Sequence, residues 1–449
     1  MKDAQGKFYW KPTQVLALGF LTVILAGTLL LCLPAAAADG RSVGFLTALF
    51  TATSCTCVTG LSVVEVGVAL SAFGHAVMLV LIQIGGLGFM TAAALLFLLV
   101  GKKITLRERL TIAEGFNESG LKGMVRLVRR AAALTFGIEG AGAVLLCFHF
   151  VPVYGWAKGI WFSVFHSVSA FCNAGFDLIG RGDSIGMFRT SPLALVTFAA
   201  LILLGGMGFA VIMDCWKKKS WKKFSLQSKI VLLFSGILLA LGTILFLAAE
   251  YYNPQTLGSL SFGDKLANAF FESVTLRTAG FAAIPQGSLT GASLVLCCLM
   301  MFIGASPAST GGGMKTTTVF VVLLQVASVV RGKEDLTFSG RRLPEGLGRR
   351  AVAILCIGLM MVLCLVLGIC LIEAPNGIST EAIVYESFSA IGTVGNSMGI
   401  TAALSPASRV LVILAMFCGR VGPLTLALAF AGKSSRNGAR YPEEKVMVG

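Results

Sequence analysis

Residues 57–62 read CVTGLS, 172–177 CNAGFD, 277–282 RTAGFA and 392–397 GTVGNS. Aligned on Gly60, Gly175, Gly280 and Gly395, the four stretches lie 115, 105 and 115 residues apart. An aromatic residue stands ten positions before each glycine: Phe50, Phe165, Phe270 and Tyr385. One such glycine carries little information, but four at near-constant phase mark an internal repeat. A repeat sets the architecture before any single segment does.

The rest of the chain gives the repeat its setting. Of 449 residues, 56% are hydrophobic and 13% charged, the composition of a polytopic membrane protein. Apolar runs long enough to span occur near 15–34, 76–100, 131–152, 192–213, 230–250, 291–330, 351–372 and 409–430. Between the members of each pair lies a segment too short to span, at 43–57, 158–172, 262–276 and 379–391. Each short segment runs into one of the four glycine stretches, which reads as a re-entrant helix followed by a loop. The expected fold is an all-α polytopic membrane protein with four parallel pseudo-repeats around a central pore. Each repeat is a span (M1), a pore helix, a filter loop and a second span (M2). The boundaries fall at 1–101, 102–215, 216–331 and 332–432, with a tail at 433–449.

Basic residues orient these spans. Lys2, Lys7 and Lys11 precede the first. Lys102, Lys103, Arg107, Arg109, Lys122, Arg126, Arg129 and Arg130 fall between the second and third, Lys217, Lys218, Lys219, Lys222, Lys223 and Lys229 between the fourth and fifth, and Arg331, Lys333, Arg341, Arg342, Arg349 and Arg350 between the sixth and seventh. Lys433, Arg436 and Arg440 follow the eighth, whereas the opposite loops carry only Arg41, Lys158, Arg181, Arg189, Lys265 and Arg277. The bias puts both termini in the cytoplasm. It also accounts for the net charge of +15 without nucleic acid.

Each repeat begins and ends inside, so the repeats are related by an axis along the membrane normal. Four re-entrant loops then converge on that axis, and irregular backbone at membrane depth is tolerated where it lines a wet path. The pore helices turn their negative C-terminal ends toward it, which favours a cation. Glycine permits positive φ and close approach to an ion, and flanking carbonyls replace an alkali cation's hydration shell. The candidate ion ligands are therefore the backbones of Val58, Thr59, Gly60, Asn173, Ala174, Gly175, Thr278, Ala279, Gly280, Thr393, Val394 and Gly395.

Other chemistries find little support. The twelve cysteines are scattered and form no C-x-x-C pair, and the three histidines are far apart. Cys55 and Cys57 read as packing residues, and His166 as a packed histidine. Nucleotide-binding and hydrolase motifs are absent, so no enzyme is indicated and no organic cofactor is expected in this chain.

VTGLS, NAGF, RTAGF and TVGNSMG, each after a short helix, resemble the four pore loops of the Trk/Ktr/HKT family of potassium transporters. SPASTGGGMKTTT (306–318) and GRVGPLTL (419–426) agree as well, and the match covers about 15–430. The fourth loop is most similar to the Ktr membrane subunit. The resemblance implies K⁺ uptake through a channel-like pore in the bacterial cytoplasmic membrane, sodium-stimulated, within membrane lipids. It further implies a homodimer bound to a cytoplasmic RCK-type ring of nucleotide-binding regulatory subunits. Gly60 stands where plant relatives that prefer Na⁺ have serine. Sodium conduction or sodium–potassium symport stays open as an alternative, as does an alternating-access transporter.

The 291–330 run is too long for one span and is interrupted by Gly304, Pro307 and Gly311-Gly312-Gly313. With Ser306, Ser309, Thr310 and Lys315 it matches the family's intramembrane gate loop. Arg420, in the eighth span, matches the family arginine beside that loop, where it would donate to loop carbonyls. Only the sixth span reads as clearly broken, which speaks against alternating access at matched positions. Two buried charges are left over. Arg277 needs an acidic partner, for which Glu272 and Asp177 are the candidates, and Glu139 is an intramembrane acid.

Overall fold

The computed structural model describes residues 12–88, 91–95, 124–180, 182, 184–333, 335–422 and 425. Lys2, Lys7, Lys11, Lys102, Lys103, Arg107, Arg109, Lys122, Arg181, Lys433, Arg436 and Arg440, and the 433–449 tail, lie outside the described residues.

The first repeat contains α1 (Pro12–Leu31), pore helix α2 (Phe45–Cys57), the short turn α3 (Val66–Ala69) and α4 (Ala72–Leu87). The second contains α5 (Met124–Tyr154), pore helix α6 (Trp156–Phe171), α7 (Pro192–Gly206) and α8 (Phe209–Lys218). The third contains α9 (Leu226–Glu250), pore helix α10 (Phe262–Thr275), α11 (Gly291–Phe302) and α12 (Thr316–Val330). The fourth contains α13 (Leu347–Glu373), pore helix α14 (Thr380–Gly392) and α15 (Pro406–Val421). A small hairpin, β1 (Thr337–Phe338) and β2 (Arg341–Arg342), joins the last two repeats.

The M1 helices α1, α5, α9 and α13 are apolar and long enough to cross a bilayer. Pore helices of 13 to 16 residues are not. Serine and threonine caps fix where several helices start. Ser71, Thr290 and Ser405 accept the first free amides of α4, α11 and α15, while Ser261 and Ser379 do so for α10 and α14.

The M2 segments differ from the sequence expectation, in which only the sixth span is broken. α4 ends at Gly88, α7 near Gly208 and α15 at Gly422, with φ of +82°, +90° and +91° at those glycines. A right-handed helix cannot continue through that conformation. α7 and α8 meet at 98°. The third repeat carries the same break as a longer loop, residues 303–315, between α11 and α12. Gly88, Gly208 and Gly422 are therefore helix breakers, a role their apolar flanks conceal.

Packing closes the repeats into a ring. Each M2 lies against the pore helix of the following repeat: α4 on α6, α7 on α10, α11 on α14, and α15 back on α2. Phe50, Phe165, Phe271 and Tyr385 on the pore helices are fully buried in these seams. Phe271, not Phe270, takes the core position in the third repeat, because its pore helix joins its loop one residue sooner. Ala279 N–H donates to Thr275 O across four residues, whereas Thr59 donates to Ser54 O across five.

Two buried acids tie M1 to M2 in the third and fourth repeats. Glu250 accepts from Thr290 N–H and Oγ1, both at 2.8 Å, and from the Asn253 amide at 2.7 Å. Glu373 accepts from Ser405 N–H at 2.9 Å, Ser405 Oγ at 2.7 Å and the Asn376 amide at 2.6 Å. In both cases a Glu-x-x-Asn turn clamps the N-cap of the next helix. Such bonds to a charged acceptor contribute about 1.5–3 kcal/mol each. Glu250→Gln and Glu373→Gln should each lower the melting temperature of the detergent-purified protein, and the exposed Glu381→Gln should not.

Candidate functional site

The four glycine loops meet at one place. A left-handed residue closely follows each pore helix: Val58 at φ +56°, Asn173 at +60°, Thr278 at +73° and Thr393 at +50°. One residue later comes the alanine, threonine or valine, and then a second left-handed position at Gly60, Gly175, Gly280 or Gly395, with φ between +69° and +103°. Valine and threonine rarely adopt positive φ, which costs on the order of 1–3 kcal/mol per residue. The same signature in four triplets of differing sequence shows that the surrounding structure imposes it. Alternating the handedness in this way turns successive carbonyls to one side of the strand.

Hydrogen bonds from the pore helices hold the loops. Thr59, Ala174 and Val394 N–H donate to the carbonyls of Ser54, Ser169 and Ser389 at 2.7–2.8 Å. The Gly60 and Gly395 amides donate to the hydroxyls of Ser54 and Ser389 at 3.1 and 3.0 Å. Ser169 Oγ accepts from Phe176 N–H at 3.0 Å and donates to its carbonyl at 2.9 Å, and Thr275 Oγ1 donates to Phe281 O at 2.7 Å. These four hydroxyls were not among the residues singled out in the sequence. Their signal is positional: a serine six residues before three of the glycines and a threonine five before the other.

Around the axis the loops close in chain order. A methyl group at Gly60 would stand 2.7 Å from Ala174 O, and one at Gly175 would stand 2.7 Å from Ala279 O. At Gly280 it would strike Val394 O, and at Gly395 it would strike Thr59 O. The four glycine Cα atoms thus face one another, and the carbonyls of Thr59, Ala174, Ala279 and Val394 complete the ring. Leu61, Phe176, Phe281 and Asn396, which follow the glycines, are buried behind it. On one side the ring opens into a vestibule of about 420 Å³, with Glu65 and Asp177 in its wall.

The opposite side is covered by the 303–315 loop. A side chain at Gly311 would meet Thr278 and the Asn173 amide, one at Gly312 would meet Thr393, and one at Gly313 would meet the Gly392 carbonyl. Gly304 packs against the backbone of Gly312 and Gly313. The loop's own amides find partners in the broken M2 of the second repeat: Ser306 N–H donates to Gly206 O at 3.1 Å and Thr310 N–H to Gly205 O at 3.2 Å. Phe209 N–H returns a bond to Ala308 O at 3.0 Å, beside the buried Pro307. Ser309 Oγ donates to Ser306 O at 2.6 Å, Lys315 Nζ to Gly311 O at 2.8 Å, and Thr310 Oγ1 to Phe171 O at 3.1 Å. Arg420 reaches across from the fourth repeat and donates to both Thr310 O in the loop and Gly85 O in the first repeat. One guanidinium therefore links three repeats.

Among the described residues Arg277 lacks the acidic partner expected of it, while Glu139 is an intramembrane acid as expected. Arg277 is only 7% exposed and donates to Ser235 Oγ at 2.9 Å, and no ion pair joins it to Glu272 among the described residues. Glu272 instead accepts from the Asn396 amide at 3.5 Å, behind the fourth loop. Glu139 is buried beside the second loop, with Cys172 Sγ 3.7 Å from its carboxylate, and its backbone carbonyl accepts from Ser167 Oγ at 2.6 Å. His166 is packed, with Nδ1 donating to Phe162 O at 2.7 Å and Nε2 accepting from Leu178 N–H at 3.3 Å. Cys55 and Cys57 are fully buried in α2, and no three His, Cys, Asp or Glu residues among the described residues gather as a metal site.

Comparison with known proteins agrees with this architecture. Residues 10–437 match the TrkH family model, described as cation transport protein. The chain is 40% identical over 438 residues to Ktr system potassium uptake protein B of Bacillus subtilis, covering 98% of this chain and 97% of that one. It is also 40% identical over 441 residues to potassium/sodium uptake protein NtpJ of Enterococcus hirae, with the same coverage. Among solved structures, the potassium transporter TrkH of Vibrio parahaemolyticus shares the fold with a TM-score of 0.70 at 19% identity, covering 92% of this chain and 85% of that one. The chain belongs to the TrkH family of cation transport proteins.

Proposed function

We propose that this chain takes up potassium through a channel-like pore, in single file and down the ion's electrochemical gradient. The observation that carries the reading is the closed ring of Thr59, Ala174, Ala279 and Val394 carbonyls around four left-handed glycines. Carbonyls held in this way substitute for the hydration shell of a dehydrated alkali cation. The pore helices, with their C-terminal ends at the ring, add a negative potential there. Val58, Asn173, Thr278 and Thr393 supply the inner rim. K⁺ is the cargo, and the chain is a transporter with no enzymatic role and no organic cofactor of its own.

The 303–315 loop is the gate. It sits under the inner rim and is held by Arg420, Lys315 and the Gly205 and Gly206 carbonyls. The break in α7 supplies the Gly206 and Gly205 acceptors for this loop, so a broken M2 fits a gated pore as well as it fits alternating access. The rotational closure of the ring favours the pore. Sodium enters as the second reading, because one relative is named for potassium and sodium uptake. The basic loops support cytoplasmic termini, with the vestibule outside. The repeat boundaries at 1–101, 102–215, 216–331 and 332–432 follow the same division. The relatives' Ktr system names support a cytoplasmic nucleotide-binding partner, and a homodimer completes the proposed assembly.

Expression with the cytoplasmic partner should rescue potassium-uptake-deficient bacteria at low K⁺, and failure to rescue would overturn the assignment. Gly60→Ser should shift transport toward Na⁺, read as the ratio of K⁺ to Na⁺ supporting growth. Arg420→Ala removes two charge-assisted bonds worth about 1.5–3 kcal/mol each, so it should raise K⁺ flux into liposomes by about tenfold or more. Deleting Gly311–Gly313 should raise flux in the same assay, and unchanged flux would sink the gate.

A further inference from the structure

Behind the third filter loop, a second cavity of about 180 Å³ lies between α7 of the second repeat and α9 and α10 of the third, with Gly206 and, from the 303–315 loop, Ala305 at its inner end. Leu203, Met207, Leu232, Leu239 and Val274 make its wall apolar. Two polar groups face it, Ser235 and Arg277. Arg277 is only 7% exposed, donates Nη2 to Ser235 Oγ, and has no hydrogen-bond partner for its Nε among the described residues. The ion pairs among the described residues are Lys218–Asp214, Arg342–Asp335 and Arg342–Glu345, so no carboxylate of those residues neutralises it. A desolvated guanidinium without an anion is costly.

Depth restricts the anion. Ser235 lies nine residues from the start of α9 and fifteen from its end, roughly 14 and 22 Å at 1.5 Å per residue. The site is therefore in the hydrocarbon layer, where a small hydrated anion does not travel and the phosphate of a glycerophospholipid does not reach. A compact carboxylate on a single apolar chain does, because it has no glycerol backbone or second chain to hold it at the interface. Gly236 of the cavity wall is itself exposed, beside the exposed Leu233 and Ile237 of α9. At Gly236, which lines the cavity, a Cβ would meet nothing within 4 Å. Its volume matches roughly six waters at liquid density, enough for a carboxylate and its first few methylenes.

We infer that this cavity binds a fatty acid. Its carboxylate pairs with the Arg277 fork, which favours bidentate carboxylate geometry, and its chain leaves past Gly236 into the bilayer. The inference rests on the membrane placement of the chain and is independent of ion conduction.

The test uses full-length protein in phosphatidylcholine nanodiscs with a diazirine-bearing palmitic acid, irradiated and mapped by peptide mass spectrometry. Label should concentrate on peptides of α7 and α9. Unlabelled palmitate should compete about tenfold better than hexadecanol, as a charge-assisted pair predicts. Gly236→Trp fills open space, so it should keep the melting temperature and abolish the label. Arg277→Gln should erase the preference of palmitate over hexadecanol. Label spread evenly over the lipid-facing helices, label that survives Gly236→Trp, or competition by phosphatidylglycerol equal to that by palmitate would each overturn the assignment.

Discussion

Backbone amides and carbonyls at membrane depth have no water to bond, and the whole molecule is arranged around where those groups go. In the four loops the division is uneven. Amides are drawn back to the pore helices, as when Thr59 donates to Ser54 and Val394 to Ser389, and carbonyls are left over. Those carbonyls cannot stay orphaned in hydrocarbon, so they line a polar path. The 303–315 loop obeys the same rule by a different route. Its amides take the carbonyls freed where α7 stops at Gly205 and Gly206. A break in one repeat thus satisfies an irregular loop in the next.

Glycine makes both arrangements sterically feasible. At Gly60 and Gly395 the neighbouring repeat's backbone occupies the volume a side chain would need. At Gly311 and Gly312 the same holds for the inner rim threonines. Close approach, more than flexibility, sets the residue type at these positions. Left-handed Val58 and Thr393 show that conformation alone does not demand glycine when packing and hydrogen bonds compensate.

The fourfold repeat, the helical class, the four glycine loops and the break in the sixth span were legible in the sequence, because each leaves a periodic or compositional mark. What escaped notice lacks such a mark. The breaks at Gly88, Gly208 and Gly422 hide inside apolar runs, and hydropathy is blind to φ. Ser54, Ser169, Thr275 and Ser389 look like ordinary small residues until the loops they hold are placed. The one-residue shift of the third pore helix was masked by adjacent phenylalanines, since Phe270 kept the phase while Phe271 filled the core. Neither acid offered as a partner for Arg277 pairs with it among the described residues, and Asp177 lines the vestibule instead. Glu272 is near it in sequence, but the helix carries the acid toward the fourth loop.

The ring closes between its two ends: α15 packs on α2, and Gly395 meets Thr59. A chain made from its N-terminus onward therefore holds three quarters of the lining before the last quarter exists. Until the fourth repeat inserts, the carbonyls of Thr59 and Ala279 border a gap in the wall, and Arg420 is not there to bridge Thr310 and Gly85. The polar path is thus sealed from lipid in one late step of biogenesis. A protein truncated before α14 would present membrane quality control with an open polar seam, not with a smaller channel.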